Sequence, residues 1–298
     1  MTFVTTASTE SSFQIETWTQ DSPEYPRELL DLKQPPASLF AIGKCDVLEK
    51  PRVSIVGTRN STGYGERVAR TLGLAFARAD VTVISGMARG IDSKAHRTAL
   101  EQGAGTVAVL GTGVDVPYPV GNRALHRSIT TGGLVLSENP PGATAHQGAF
   151  PKRNRIIAAL SPLTIVVEAG YRSGAINTAT QALELGRQVA AVPGPIDSDQ
   201  SKGTNQLIKD GSEVITSPAD ALALLGIATK PESPPPLLPD TEQKVWDSIT
   251  AGTALTDDLP ALTGLTLAEC LAAITSLEIM GLVQCTLTGE IRRHSRSD

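Results

Sequence analysis

From Arg52 to about residue 225 the chain alternates short apolar, β-branched runs with longer stretches of mixed polarity. The runs are Val53–Val56, Val81–Ile84, Val107–Leu110, Leu134–Leu136, Leu163–Val167 and Val189–Val192. Each is close to continuously apolar instead of apolar at every second position, which is the pattern of a strand buried on both faces of a parallel sheet. The segments between them, for instance Tyr64–Ala79 and Asp92–Gln102, are long enough for crossover helices. A last unit, Glu213–Ile215 followed by Ser217–Leu225, closes the series. Its Ser217-Pro218-Ala219-Asp220 supplies an N-cap, a proline at the first helical position and an acid at the third. The alternation predicts an α/β fold with a doubly wound, mainly parallel sheet of six or more strands.

The flanks have different patterns. Residues 1–22 are expected to be frayed. Residues 23–50, with Tyr25-Pro26, Pro35-Pro36 and the apolar run Leu39-Phe40-Ala41-Ile42, are expected to form a lead-in subdomain packed on the body. Residues 229–240 contain five prolines and predict a semi-rigid linker. Beyond it, Asp240 with Gln243 and Thr266 with Glu269 mark helix starts. Leu267, Leu271, Ile274 and Leu277 are placed on one helical face. Val283–Leu287, Thr288-Gly289 and Glu290–Arg292 suggest a small hairpin. Three helices and a hairpin outline a winged helix. The expected organisation is a lead-in over 1–50, a body over 51–228, a linker over 229–239 and a winged-helix domain over 240–298.

Composition changes the picture mainly through charge. The chain of 298 residues carries a net −5, which taken alone argues against a nucleic-acid binder. The charge is not spread evenly, however. Residues 1–50 are net −4, residues 51–190 net +7, and residues 191–298 net −8. The body is basic and its flanks are acidic, a hint about partners and not about fold. No run of about 18 apolar residues predicts a transmembrane helix. Met1 to Gln20 is polar and does not resemble a signal peptide. Cys45, Cys270 and Cys285 form no CxxC, and an odd count suits reduced thiols in the cytoplasm.

In an open parallel sheet, ligands bind beyond the carboxyl ends of the strands. Here those ends carry Gly57-Thr58-Arg59, Ser85-Gly86-Met87-Ala88-Arg89-Gly90, Gly111-Thr112-Gly113, Ser137-Glu138 and Glu168-Ala169-Gly170-Tyr171-Arg172-Ser173-Gly174. Three of these turns hold an arginine, and Phe150-Pro151-Lys152-Arg153-Asn154-Arg155 adds a basic helix start. Helix N-termini offer free N–H groups, and guanidinium groups add bidentate phosphate contacts. Several such turns side by side suit a row of phosphates, hence a polymer. Structural salt bridges to Glu138 or Glu168 are the competing account of each arginine. Phe150 suits base stacking, worth about 1–3 kcal/mol per base, or equally a core anchor.

GxGxxG and GxxxxGK[ST] are both absent, which disfavours dinucleotide and nucleoside-triphosphate binding in their usual forms. Asp115, Glu138 and Glu168 follow three strands, where they could gather round a metal, cap helices or pair with arginines. Asp92 is placed at an N-cap and His96 as a packed helix residue. No serine sits in a GxSxG elbow. A hydrolase of a phosphorylated nucleoside, using Glu168 or Asp115, is the alternative function. Between Asp240 and Ile291 stand eight acids and one basic residue, Lys244. Phosphate repulsion opposes DNA docking there, and a protein-contact role is expected, with Arg292, Arg293 and Arg296 in a frayed end. A protein-interaction scaffold working through this acidic tail is a third possibility.

Gly57-Thr58-Arg59, Ser85 to Asp92, Ala95-His96 with Ala99-Leu100, Tyr118-Pro119, Phe150 to Ile157, Glu168-Ala169 with Arg172-Ser173-Gly174-Ala175, and Pro193-Gly194 with Gly203 to Ile208 occur in that order. This series resembles the DNA-processing protein A (DprA, or Smf) family over about residues 25 to 220, and the tail resembles that family's winged helix. The resemblance implies an extended Rossmann-like fold that binds single-stranded DNA, protects incoming strands in natural transformation and helps load the recombinase RecA. It also implies a homodimer, no cofactor and no catalysis. Carried over, the DNA pocket comprises Gly57, Thr58, Arg59, Ser85, Gly86, Ala88, Arg89, Phe150, Lys152, Arg153, Asn154, Arg155, Arg172, Ser173 and Gly174. The helical SAM-like domain found at the N-terminus of many members is expected to be absent or vestigial.

Overall fold

The computed structural model describes residues 14–146, 148–228, 238–249, 254–286 and 289–293. Contacts divide the chain into two units, Met1–Thr229 and Lys230–Asp298.

The first unit is built on a sheet whose parallel part consists of β3 (Arg52–Val56), β4 (Thr82–Ser85), β5 (Thr106–Leu110), β6 (Leu134–Ser137), β7 (Leu163–Val166), β8 (Gln188–Ala191) and β9 (Glu213–Val214). The apolar runs of the sequence mark these strands to within a residue or two. The first two strands, β1 (Glu16–Thr19) and β2 (Ser38–Gly43), were not all foreseen. Residues 16–19 are not frayed: Trp18 is buried at 2% exposure, and the segment pairs antiparallel with β2. β2 in turn pairs antiparallel with β6, so the lead-in extends the main sheet. The strand order is β1-β2-β6-β5-β4-β3-β7-β8-β9. β3 is the middle strand of the seven-stranded parallel part: Ser54 faces Ile84 of β4 on one side and Thr164 of β7 on the other.

Helices cover both faces. On one lie α1 (Gly63–Arg78), α2 (Ile91–Glu101) and α7 (Pro218–Leu224), which bury Leu72, Phe76, Ile91, Ala95, Ala99 and Leu222 against the strands. α3 (Arg123–Gly132) extends this layer, with Leu125 and Ile129 packed beside Leu100 of α2. On the other face lie α4 (Ala149–Ala159), α5 (Gly174–Glu184) and α6 (Lys202–Lys209), contributing Ile156, Ile157, Ala175, Ala179 and Leu207. Burying two apolar faces needs strands apolar on both sides, which is why the β-branched runs do not alternate. The Ser217–Asp220 capping box forms as expected. Asp92 is not an N-cap. Gly90 holds that place, because its φ of +76° and the closeness of the Thr58 carbonyl leave no room for a side chain.

The second unit has α8 (Asp240–Ser248), β10 (Ala254–Leu255), α9 (Leu259–Thr263), α10 (Leu267–Ile279), β11 (Val283–Cys285) and β12 (Glu290–Arg293). β12 pairs antiparallel with both β10 and β11, giving the wing. Arg292 and Arg293 belong to that strand by their backbone pairing and are not part of a frayed end. Thr266 and Glu269 make a capping box, whereas α8 starts after Pro239 with no side-chain cap from Asp240. The core of this unit takes Cys270, Ala273, Ile274 and Leu277 from α10. Leu267 and Leu271 are about half exposed, at 49% and 46%. The buried stripe combines Ile274 and Leu277 with the smaller Cys270 and Ala273, which turns it away from Leu267 and Leu271. Linker residues 229–237, the hairpin turn at 287–288 and Arg296 lie outside the described residues.

Candidate nucleic-acid interface

Where β3 ends, its two neighbours β4 and β7 lead into helices on opposite faces of the sheet. The carboxyl ends therefore diverge and leave a crevice. It is an open cleft of about 560 Å³, lined by Gly57, Thr58, Arg59, Ala88, Asp92, Phe150, Pro151, Arg153, Asn154, Arg172, Ser173 and Gly174, with Ala175, Asn177 and Thr178 behind them. The expected site residues thus largely converge. Five do not line it. Ser85 is buried below, donating to the Ile55 carbonyl at 2.6 Å. Gly86 lies under Arg153. Arg89 is exposed in the next turn. Lys152 and Arg155 both turn to Glu138.

The cations separate into two classes. Arg59, Arg89 and Arg172 are exposed, and among the described residues none of them makes an ion pair. Arg155 places one nitrogen 2.7 and 2.8 Å from the two oxygens of Glu138, and Lys152 reaches the same carboxylate at 3.2 Å. The salt-bridge account therefore holds for Arg155 and Lys152 and not for the three turn arginines. Lys152 nonetheless keeps 56% of its side chain exposed, against 12% for Arg155, so it can turn to a phosphate where Arg155 cannot.

Arg153 is buried at 6% exposure and donates to the carbonyls of Gly86, at 2.8 Å, and of Val109. It ties α4 to the ends of β4 and β5. A Cβ at Gly86 would lie 2.6 Å from its guanidinium, so any larger residue there would displace Arg153 from its two carbonyls. Burial lowers the Arg153 pKa to about 10, with nearby Asp92 pulling it back up and Arg59 pushing it down. The group stays charged at neutral pH. Asp92 is buried too, and desolvation raises its pKa while Arg153 opposes that shift. Its carboxylate accepts from the N–H of Gly86 at 3.2 Å and of Ala88 at 3.4 Å. Asn122 donates to the Met87 carbonyl at 2.8 Å. These bonds hold Met87 at φ +55°, an uncommon conformation for a residue with a side chain. The strained turn is what presents Arg89 outward.

On the other wall, Ser173 caps α5 by accepting from Ile176 N–H. The first turn of α5 opens onto the cleft, where the N–H groups of Gly174 and Ala175 precede the helix's own hydrogen-bond ladder. Asn154 donates to the Gly174 carbonyl and to the Asn177 side chain, each at 3.2 Å, so it positions that helix start. Phe150 is half-buried beside Gly111. Arg59 lies over its ring at 5.5 Å, and Tyr118 stacks against it at 4.9 Å with the rings tilted by 33°. Tyr118 belongs to the family-like series in the sequence but not to the expected pocket. The available signal was an aromatic residue in the turn after the strand that ends at Leu110.

The acids considered for catalysis are otherwise engaged. Asp115 accepts from Gly142 N–H at 2.8 Å, and Glu168 binds the backbone and hydroxyl of Thr62 at the start of α1. His96 is fully buried, bonded to the Thr106 hydroxyl at 2.7 Å, with burial lowering its pKa to about 3. It is a packed residue, as expected. Among the described residues no single helix is long and apolar enough to cross a membrane.

Residues 16–226 match the family model of DNA recombination-mediator protein A, and residues 229–286 match that of the DprA winged helix domain. The putative DNA processing protein DprA of Mycobacterium tuberculosis is 40% identical over 260 residues, covering 84% of this chain and 67% of that protein. The DNA processing protein DprA of Streptococcus pneumoniae is 41% identical over 199 residues, 67% of this chain and 70% of that one. The crystal structure of the latter superimposes with a TM-score of 0.68 at 39% identity, over 72% of this chain and 74% of its own. A structure of Helicobacter pylori DNA processing protein A, described for its single-stranded DNA binding mode, superimposes with a TM-score of 0.65 at 29% identity, over 72% and 96% of the two chains. The chain therefore belongs to the DNA recombination-mediator protein A family.

Proposed function

We propose that this chain binds single-stranded DNA in the cleft at the end of β3, without strong sequence preference, and acts as a non-enzymatic recombination mediator. The observation that carries the reading is the pairing of exposed, unpaired Arg59 and Arg172 on the two sides of a cleft whose roof is Phe150. Arginines address phosphates, which carry no sequence information, and an aromatic face stacks on any base. Arg59, Arg172, Lys152 and the α5 N–H groups bind the backbone, and Phe150 with Tyr118 receives a base. Arg153, Arg155 and Asn154 position them. Protection of the strand, loading of RecA, action as a homodimer and a place in natural transformation within the cytoplasm complete the proposal.

The test is a titration of the full chain with oligo-dT at two salt concentrations. Binding should weaken with a slope of about −0.7 per phosphate contacted. Arg59→Ala with Arg172→Ala should reduce affinity at least tenfold. An unchanged affinity in that variant would overturn the assignment. RecA filament growth on DNA coated with single-strand binding protein tests the mediator role.

A further inference from the structure

The cleft accounts for only part of the positive charge in the body. We infer that the outer faces of α2 and α3 form a second phosphate track, which carries the same DNA strand onward after it leaves the cleft past Arg89; this rests on the reading of the cleft as the DNA site. The track consists of Arg89, Lys94, Arg97, Arg123 and Arg127. Arg89, Arg97, Arg123 and Arg127 are exposed and Lys94 is half-buried. Among the described residues none of the five makes an ion pair, and Glu101, the one acid on α2's outer face, is taken by Arg70 at 3.3 Å. These cations are not an incidental solvated face in which opposite charges alternate.

Their placement follows from the fold. α2 and α3 are neighbours because they follow the adjacent strands β4 and β5. They touch where a Cβ at Gly132 would lie 3.0 Å from the Leu100 side chain. Asn122, the residue before α3, donates to the Met87 carbonyl at 2.8 Å and to Ser93 at 2.9 Å. It therefore fastens the start of α3 to the turn that carries Arg89. Arg123 follows directly, and Arg127 lies one helical turn further on the same face, about 6 Å along the axis. The turns with Arg59, Arg89 and Arg123 follow β3, β4 and β5, which are consecutive in the sheet. A strand leaving the cleft in this direction meets a cation at each step, whereas α2 and α3 themselves carry none of the exposed large apolar side chains that a protein partner would bury. The ligand chemistry is a flexible polyanion, the sugar–phosphate backbone.

The experiment compares a short oligo-dT of about six residues, which fits the cleft alone, with a long one of about thirty, which also reaches the track. Each is titrated into the full chain at about 50 and 200 mM salt. In Arg123→Ala/Arg127→Ala the long oligo should bind at least tenfold more weakly at low salt. Its salt slope should shrink by about 1.4, two contacts at roughly 0.7 each. The short oligo should bind within twofold of the parent. Removing two exposed cations elsewhere, Lys33→Ala/Arg78→Ala, should leave the long oligo's affinity and slope near the parent's. Long-oligo affinity and slope unchanged in Arg123→Ala/Arg127→Ala would overturn the inference. So would an equal loss on both oligos, which would place these arginines at the cleft, or an equal loss in the control variant, which would reduce the effect to net charge. A parent chain that binds neither oligo condemns the cleft reading itself.

Discussion

Replacing Arg153 should damage the fold first and DNA binding only in consequence, although it stands in the middle of the basic helix start. Arg153 and Asp92 are both more than nine-tenths buried, and each is the opposite charge that counteracts the other's desolvation, without an ion-pair contact between them. Arg153→Met keeps the volume of the stem and removes the charge. Asp92 then loses the positive charge that opposes its desolvation, and since no ion pair joins the two groups this is worth about 1–3 kcal/mol, less than breaking a contacting buried pair. The carbonyls of Gly86 and Val109 also lose a donor, at about 1–3 kcal/mol for each group left unsatisfied. The total is of order 5 kcal/mol, a large share of the roughly 5–15 kcal/mol that holds a domain folded. Asp92→Asn in the same chain should recover part of it, because the unpaired charge is gone. The assay is urea unfolding of the first unit, followed by the fluorescence of buried Trp18 in a Trp246→Phe background. A double-mutant cycle should return a coupling of about 1–3 kcal/mol between positions 92 and 153. If Arg153→Met unfolds within about 1 kcal/mol of the parent, or the two substitutions simply add, the pillar role assigned to Arg153 is wrong and its charge is available to the ligand.

Other outcomes follow from the same geometry. Phe150→Ala should weaken oligo-dT binding by about 1–3 kcal/mol, roughly 5- to 150-fold, and Phe150→Tyr should retain most of it, as read by fluorescence anisotropy. His96 folds with its pKa lowered to about 3, against about 6.5 unfolded. Its contribution to stability is complete above pH 6.5 and is lost as pH falls from there toward 3, at up to about 1.4 kcal/mol per pH unit. Asp92, shifted upward, partly offsets that loss, and a pH series of urea midpoints should be flatter in His96→Asn. Deleting residues 230–298 should leave oligo-dT affinity within about twofold, since the outward face of α10 presents Leu267, Leu271 and Ile279 with no Lys or Arg. A large loss on that deletion would assign DNA contacts to the winged helix.

The strands of the body were legible because a two-faced sheet demands continuous apolar runs, and no surface helix produces them. β1 was not legible. An edge strand of four residues needs only one buried side chain, and Glu16-Thr17-Trp18-Thr19 offers Trp18 as its sole sign. The cleft was legible in the glycine turns, because sharp turns at strand ends require residues that few other positions tolerate. The division of labour among its cations was not. Lys152, Arg153 and Arg155 look alike in sequence, and their fates depend on acids and carbonyls brought to α4 by other strands: Glu138 from the end of β6, Val109 from β5, Gly86 from β4. Those neighbours are fixed by strand order, which the local sequence of a helix does not encode. On α10 the apolar residues were legible, and the choice of which ones face inward was not, because the small Cys270 and Ala273 take the buried places that Leu267 and Leu271 leave.

The central position of β3 gives the cleft one more property. Its opposing arginines, Arg59 and Arg172, stand more than a hundred residues apart in the chain, on the turns that end the paired strands β3 and β7. A strand of DNA held by both acts as a reversible cross-link closing a long loop of the polypeptide. The ligand thereby joins the two halves of the sheet mechanically, and the body should resist forced separation of β3 from β7 more strongly when it is loaded than when it is empty.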